Sequence, residues 1–286
     1  MCTYAQKEVK SKLDSIMQLA NSRGIFNGNI LVAQKGKIIY ENSPGYADGS
    51  KNKMLTPAFK FDIGSVSKEF NGAAIMLLQQ RGQLSLDDPI NKYLPDLPPW
   101  AAKVKIRHLL TYTSGIPIFA PLATEGDSLI NANLHSLKAL QFEPGTAYIY
   151  NHYNVYLQMR IVEKVSGKTY KEYITQNIFK PLGMDGAVVD LSPDDPQMAM
   201  AFDQNFKNSP YIQNMTGWVR LTARDLYKWS VALNQNKLLN KASFTQLAYN
   251  FPNGESSIGT VGFSNDMAWH RHRGQTAITR PCFTVT

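Results

Sequence analysis

The chain has 286 residues, of which 43% are hydrophobic and 18% charged, a composition that indicates a globular protein and excludes an intrinsically disordered one. Its formal net charge of +8 arises from basic residues that are spread among acids, except at Arg271-His272-Arg273, and this scatter argues against a nucleic-acid-binding protein. Cys2 and Cys282 lie at opposite ends of the chain, so the sequence predicts neither a disulfide framework nor a metal site.

The first part of the chain predicts one helix followed by three short strands. A helix is predicted where apolar residues recur every three or four positions, and strands where β-branched and aromatic residues cluster between turn residues. The predicted helix covers residues 9–20, and the predicted strands cover 29–33, 37–40 and 59–63. The first two strands are predicted to form a hairpin, because only three residues, Gln34-Lys35-Gly36, separate them.

From Ser65 onward the sequence predicts mainly helices, separated by loops that contain Gly and Pro. The predicted helices cover residues 65–82, 107–111, 154–165, 170–179 and 222–234. Strand-like sequence returns near residues 258–267 and after Gly274. Strands at both ends with helices between them predict an α/β fold into which a helical region is inserted.

Ser65 and Lys68 form a Ser-x-x-Lys motif at the start of a predicted helix, directly after a strand and Gly64. Residues three apart lie on one side of a helix, so the Lys68 amine can reach the Ser65 hydroxyl. The positive end of the helix dipole favours an alkoxide and disfavours a protonated amine, which lets a neutral lysine accept the serine proton. The motif predicts a nucleophilic serine with a lysine base.

A purely structural interpretation of this motif remains open, since serine is a favoured N-cap and Lys68 could then lie on the surface. Ser50 and Lys53 have the same spacing, but they lie in a polar loop with no helix behind them. Ser50 is therefore not a candidate nucleophile.

Longer segments resemble the serine β-lactamase and penicillin-binding-protein family, in its class C and esterase-like branch. The resemblance extends over about residues 28–234, and several segments agree in order and spacing. The matching segments are residues 63–89, 106–115, 143–145 (Glu-Pro-Gly), 165–167 (Val-Ser-Gly), 181–184 (Pro-Leu-Gly-Met) and 221–226.

The resemblance implies an α/β fold with a β-lactamase-like antiparallel sheet flanked by helices. A single domain is expected over residues 1–286, with its α/β part in 1–63 and 237–286 and a helical insert in 64–236. Family members normally continue with further strands and a closing helix, whereas twelve residues follow Gly274 here. We therefore expect an unfinished sheet edge, self-association or a mobile end after about Ser264, marginal stability and weak turnover.

The family also implies a Tyr-x-Asn motif, in which the phenol relays protons at the serine oxygen. Tyr150 fits this position, although it could be only a packed aromatic residue. His152 replaces the usual asparagine as a substrate-binding residue, and its imidazole titrates near neutrality. Asn151 or Asn154 could supply the missing amide instead.

The third element implied by the family is a strand with a His-x-Gly or Lys-Thr-Gly sequence that faces the serine. His272-Arg273-Gly274 is the candidate, and it could otherwise be a basic surface cluster. With this assignment His272, Gly274 and Gln275 would bind substrate, and the backbone N–H groups of Ser65 and Gln275 would form the oxyanion hole.

The resemblance implies a serine hydrolase that forms an acyl-enzyme on an ester or amide, with no metal or organic cofactor. A D-alanyl-D-alanine carboxypeptidase or an esterase is favoured over an efficient β-lactamase, since no deacylation device is evident. The alternative is a non-turnover acylated sensor or pseudoenzyme that binds penicillin-like or peptidoglycan-like ligands.

The expected partner is a small-molecule or peptide substrate, with no nucleic acid. No membrane span is predicted, because the longest apolar run near a helix, residues 73–78, is far too short. The family places such proteins in the periplasm or elsewhere outside the bacterial cytoplasm. The sequence leaves open the acyl group, the oligomeric state and the efficiency of deacylation.

Overall fold

The computed structural model describes residues 2–119, 125–190, 194–209, 215–264 and 266–274. The α-helices in these ranges are α1 (Cys2–Ser22), α2 (Ser67–Gln80), α3 (Ile106–Leu110), α4 (Asp127–Ser136), α5 (His152–Ser166), α6 (Tyr170–Ile174), α7 (Ala223–Asn234) and α8 (Lys241–Leu247). A π-helical turn, Thr175–Phe179, continues α6. Among the described helices, none has both the length and the apolar character needed to cross a membrane.

The strands pair antiparallel throughout the described part of the chain. They are β1 (Ile30–Gln34), β2 (Lys37–Asn42), β3 (Phe61–Asp62), β4 (Val188–Val189), β5 (Val219–Leu221), β6 (Thr260–Ser264) and β7 (Asp266–Arg271). Within the described residues they form three sheets with the orders β1-β2, β3-β5-β4 and β6-β7. The predicted combination of antiparallel sheets and helices is confirmed, with the described strands divided among small sheets.

The predicted hairpin is present as β1 and β2, with Gln34 opposite Lys37. Its two turn residues, Lys35 and Gly36, have φ values of 51° and 73°. Positive φ at both central residues is the pattern of a type I′ turn, whose twist matches that of the flanking strands.

Helix α2 lies at the centre of the molecule and is buried on every side from Ser67 to Leu78. It contacts α5 and α8. Gly72 permits this close packing, because an added Cβ would lie 2.7 Å from a methyl group of Leu247 and 2.8 Å from Ser257. A helix enclosed in this way gives the residues at its first turn a rigid base.

The first predicted helix is confirmed as α1, but the apolar face from which it was predicted is largely exposed. Met17 is buried, whereas Val9, Ile16 and Leu19 are 43%, 60% and 52% exposed. The apolar spacing therefore predicted the helix correctly, although much of this apolar face remains exposed.

The other predicted helices and the strands near residues 258–267 are confirmed. Helices α4 and α8 were not predicted, because α4 is rich in Asn and Ser and α8 is only seven residues long. In α4 the buried side chains of Ile130 and Leu134 supply the stability that its sequence lacks.

One hydrophobic core cluster extends along the sequence from Ile63 to Ile258. The division into residues 1–63 with 237–286 and 64–236 stays a prediction. Most of the chain end that was expected to be unfinished, including residues 275–286, lies outside the described residues.

Candidate active site

Ser65 lies in a short 3₁₀ turn, Gly64–Val66, that leads directly into α2. Gly64 has a φ of 52°, a conformation that glycine adopts without the steric cost of a side chain. Its N–H donates to Asp62 Oδ1 at 2.9 Å, and Asp62 pairs with Arg220 at 2.8 Å. The hydroxyl is thus presented at the N-terminal end of the central helix, as predicted.

Lys68 lies in the first turn of α2, and its side chain reaches back to the serine. Its Nζ donates to Ser65 Oγ at 3.0 Å, and the side chain is buried. The same nitrogen also lies 5.0 Å from the centre of the Tyr150 ring and 4.7 Å from that of Trp218. These two rings hold the amine close to the serine oxygen.

Tyr150 lies directly before α5, and its Oη donates to Ser65 Oγ at 2.9 Å. Its ring packs against the buried Tyr112 ring at 4.9 Å between centroids. Among the described residues, Ser65 Oγ therefore has two hydrogen-bonding neighbours, the Lys68 amine and the Tyr150 phenol. Both groups can exchange protons with a nucleophilic oxygen at this distance.

The two asparagines that could have replaced the family's usual amide are occupied at the start of α5. Asn151 is the N-cap, and its Oδ1 accepts from both the backbone and the side-chain nitrogen of Asn154, at 3.2 and 2.9 Å. The Asn151 amide donates to the Ile116 carbonyl at 2.9 Å. His152 is therefore the better candidate for the third position of the motif.

His152 is buried and faces Glu125, a residue that was not predicted for the site. Its Nε2 lies 3.1 Å from Glu125 Oε2, which also accepts from Tyr153 Oη at 2.7 Å. Asn133 donates to the other carboxylate oxygen at 2.7 Å. Burial lowers the pKa of His152, the nearby Lys68 lowers it further, and Glu125 opposes both effects.

The segment predicted as the third motif directly follows β7 instead of lying within a strand, and its Gly274 lies beside the nucleophile. A Cβ added to Gly274 would lie 1.8 Å from the Ile63 carbonyl oxygen and 3.4 Å from the Ser65 nitrogen. Only glycine allows the backbone to approach so closely. Gln275, the predicted partner of Ser65 in the oxyanion hole, lies outside the described residues.

The residues around this glycine alternate between the interior and the surface. His270 and His272 are buried, whereas Arg271 and Arg273 are exposed. His272 Nδ1 lies 2.8 Å from Glu69 Oε1 rather than on the surface, so the segment is not simply a basic patch. A direct contact between the His272 side chain and substrate stays a prediction.

One group of described side chains has the composition of a metal site, namely Glu69, His270 and His272. Its chemistry fits hydrogen bonding better than metal binding. His270 Nε2 lies 2.7 Å from the Ile258 carbonyl oxygen, which can only accept, so this nitrogen carries a proton. A protonated nitrogen cannot ligate a metal ion.

Sequence reasoning missed Glu69, Glu125, His270 and Trp218. Glu69 had a detectable signal, because an acid that directly precedes a mostly apolar stretch of helix, residues 70–78, must be compensated inside the fold. The others had no local signal, since their neighbours are distant in sequence.

The chain is similar to known proteins of one family. A family model described as Beta-lactamase matches residues 9–277. The chain is 30% identical to a penicillin-binding protein of Bacillus subtilis (strain 168), and the match covers 83% of this chain and 59% of that protein. The chain thus spans about three fifths of the length of this relative.

Two solved structures have a similar fold. The octameric penicillin-binding protein homologue from Pyrococcus abyssi has a TM-score of 0.71 and 27% identity, covering 84% of this chain and 60% of that chain. A class C β-lactamase has a TM-score of 0.71 and 24% identity, covering 85% of this chain and 70% of that chain, and supports the fold alone. The predicted β-lactamase-like fold is confirmed.

Proposed function

Since this chain belongs to the β-lactamase family, we propose that it is a serine hydrolase in which Ser65 attacks an ester or amide carbonyl and becomes acylated. The observation that carries this proposal is the position of Ser65 Oγ, 3.0 Å from Lys68 Nζ and 2.9 Å from Tyr150 Oη. A serine with a base and a proton donor at these distances is the arrangement that covalent catalysis requires.

In the proposed acylation step, a bond forms between Ser65 Oγ and the carbonyl carbon while Lys68 accepts the serine proton. The Ser65 N–H donates to the developing oxyanion. Tyr150 delivers a proton to the leaving nitrogen or oxygen as its bond to carbon breaks, and Lys68 replaces that proton. The products are the acyl-enzyme and a free amine or alcohol.

Deacylation follows the reverse path with water as the nucleophile. Water loses a proton to Tyr150 or Lys68 as its oxygen bonds to the acyl carbon, and Ser65 Oγ regains a proton when the ester bond breaks. The net reaction adds one water to the substrate and releases a carboxylic acid.

For the substrate, we favour a D-alanyl peptide or a small ester over a β-lactam turned over efficiently. The name of the Bacillus subtilis relative supports binding of penicillin-like ligands, which mimic acyl donors. Because the chain spans 59% of that relative, the activity of the whole protein is part of this proposal.

The alternative is a sensor that is acylated without turnover. The departure at His152 favours it, because Glu125 holds the imidazole that replaces the family's amide. The two functions differ in the lifetime of the acyl-enzyme. A turning-over enzyme loses its label with time, whereas a sensor keeps it.

We further propose a location outside the bacterial cytoplasm, in line with the bacterial penicillin-binding protein to which the chain is similar. Self-association belongs to the same proposal. Val9, Ile16 and Leu19 of α1 are exposed, and the homologue from Pyrococcus abyssi is octameric.

Labelling with a fluorescent penicillin and with a fluorophosphonate, followed by peptide mapping, tests the nucleophile. We expect the adduct on Ser65 and no labelling of the Ser65→Ala variant. Ser50→Ala is the matched control, because Ser50 has the same motif spacing in an exposed loop, and it should label like the wild type.

Labelling of Ser65→Ala at the wild-type rate, or an adduct on another serine, would show that Ser65 is not the nucleophile. Intact-mass measurements over time, with penicillins, D-Ala-D-Ala peptides and nitrophenyl esters, then distinguish the enzyme from the sensor. Return to the unlabelled mass indicates turnover.

A further inference from the structure

Glu69 is a fully buried carboxylate that follows Lys68 in α2 and has no role in the proposed mechanism. A carboxylate removed from water is costly unless donors compensate its charge. His272 Nδ1 lies 2.8 Å and His270 Nε2 3.1 Å from one of its oxygens. Trp229 Nε1 donates to the other oxygen at 2.6 Å.

These donors come from two different parts of the fold. His270 belongs to β7, and His272 is the first residue after that strand. Trp229 belongs to α7 and stacks on Phe70 with 4.4 Å between ring centroids. The Glu69 carboxylate therefore joins α2, which follows the turn that carries Ser65, to β7 and the segment after it that ends at Gly274. We call this set, Glu69 with His270, His272 and Trp229, the carboxylate clamp.

The segment after β7 must be held accurately, because its backbone touches the turn that carries the nucleophile. No Cβ fits at Gly274, where it would lie 1.8 Å from the Ile63 oxygen. The imidazole of His272, two residues before Gly274, is anchored on Glu69. The clamp thus sets the distance between this segment and the Ser65 N–H, where the oxyanion would form.

We propose that Glu69 is a positioning residue for acylation: through His270 and His272 it holds the segment ending at Gly274 against the turn that carries Ser65. This inference rests on the proposed function of Ser65 but assigns a role to residues that the reaction itself does not use. Glu69 acts through the strand and does not touch the substrate.

The electrostatics of the clamp agree with this role. Burial acts to raise the pKa of Glu69, but the charge of His270 and the hydrogen bonds from both histidines lower it to about 2. The carboxylate is therefore anionic at every pH at which the enzyme would work. Its neutral analogue, glutamine, keeps the shape of the side chain but presents an N–H where Trp229 or His272 now donates.

The test compares acylation by a nitrophenyl ester or fluorescent penicillin in Glu69→Gln and in Asp225→Asn. Asp225 is the matched control, because it is another buried carboxylate, 2% exposed, and lies outside the site. A misplaced reacting geometry costs on the order of 100-fold in rate. We expect that loss in the acylation rate constant of Glu69→Gln, little change in apparent ligand affinity, and less than a threefold change in Asp225→Asn.

A conservative substitution separates positioning from a general loss of stability. In His272→Asn the amide nitrogen can take the place of Nδ1 and donate to Glu69, whereas His272→Ala cannot donate. The asparagine variant should acylate at least tenfold faster than the alanine variant at a temperature where both are folded. Equal rates in the two variants would overturn the proposal.

Hydrogen exchange at residues 269–274 provides a readout that does not depend on catalysis. Exchange should be at least tenfold faster in Glu69→Gln than in the wild type, and unchanged in Asp225→Asn. If the wild type is not acylated at all, the proposed function fails while this measurement still tests the clamp. Unchanged exchange in Glu69→Gln would overturn the positioning role of Glu69. The same role would be overturned if the purified protein contained one equivalent of metal and His272→Ala lost it.

Discussion

His152 is the single residue at which the site differs most clearly from the family's Tyr-x-Asn motif. Its imidazole lies 3.1 Å from Glu125, and Lys68 lies close enough to act on its charge. An unperturbed histidine would titrate at about pH 6.5. Burial lowers the pKa of His152 from this value, and Lys68 adds to the effect, although Glu125 opposes it.

We predict that the acylation rate constant decreases as the pH is lowered, with an apparent pKa below 6.5. A protonated His152 would place a positive charge near Lys68 and disfavour transfer of the serine proton to that amine. His152→Asn should keep activity and lose this acidic limb of the pH–rate profile, whereas His152→Ala should lose about tenfold in rate, the worth of one hydrogen bond. The pH dependence of the acylation rate constant checks both variants.

Glu125→Gln provides the control for this assignment. The carboxylate stabilises the protonated imidazole, so its removal should lower the pKa of His152 further and shift the limb to more acidic pH. If the acidic limb of the pH–rate profile is unchanged in both His152→Asn and Glu125→Gln, the limb reports another group. His152 then has no part in the reaction.

At the scale of elements, the start of α5 places Tyr150 and His152 on either side of the N-cap residue. Asn151 accepts from the backbone N–H of Asn154 and donates to the Ile116 carbonyl. The cap therefore fixes both the first turn of the helix and the loop that contains Ile116. The position of the Tyr150 phenol depends on this local geometry.

We predict that Asn151→Ala destabilises the protein by about 1 kcal/mol or slightly more, because a cap and a buried hydrogen bond are lost. A loss of that size lowers the melting temperature by about 2 to 4 °C in a chain of this length. Acylation should fall as well, since Tyr150 loses its support. Thermal melts and labelling rates measure the two effects.

Thr169→Ala is the matched control, because Thr169 caps α6 by accepting from the Glu172 N–H at 3.2 Å and lies at the other end of α5. It should lower the melting temperature without changing the labelling rate. If Asn151→Ala affects stability alone, the cap has no influence on the phenol.

At the scale of the whole molecule, the exposed face of α1 is the feature that most invites association. Ile16 and Leu19 are 60% and 52% exposed, and Ile25, just after the helix, is 73% exposed. Exposed apolar side chains that cluster in this way are typical of interaction surfaces. Association of copies through α1 would bury them.

We predict that the wild type elutes as an oligomer in size-exclusion chromatography with light scattering. The double variant Ile16→Glu and Leu19→Glu should shift the mass towards that of the monomer, because burial of two new charges is unfavourable. Leu129→Glu is the control, since Leu129 is also exposed, at 52%, but belongs to a different helix, α4. A wild-type monomer at all concentrations would contradict the prediction.

The sequence alone determined those features that depend on local spacing. Ser65 and Lys68 meet because residues three apart share one side of a helix, and the hairpin forms because Lys35 and Gly36 suit its turn. The family resemblance then extended these local features to the fold, which the comparisons confirm.

Only the tertiary structure decided which distant side chains meet. Tyr150 reaches Ser65 across 85 residues, and His272 reaches Glu69 across 203. Such contacts depend on how several helices and strands pack around α2, and no local pattern encodes that packing. Glu69 illustrates the division, since the sequence marks an acid that must be compensated, and only the fold identifies the histidines and the tryptophan that compensate it.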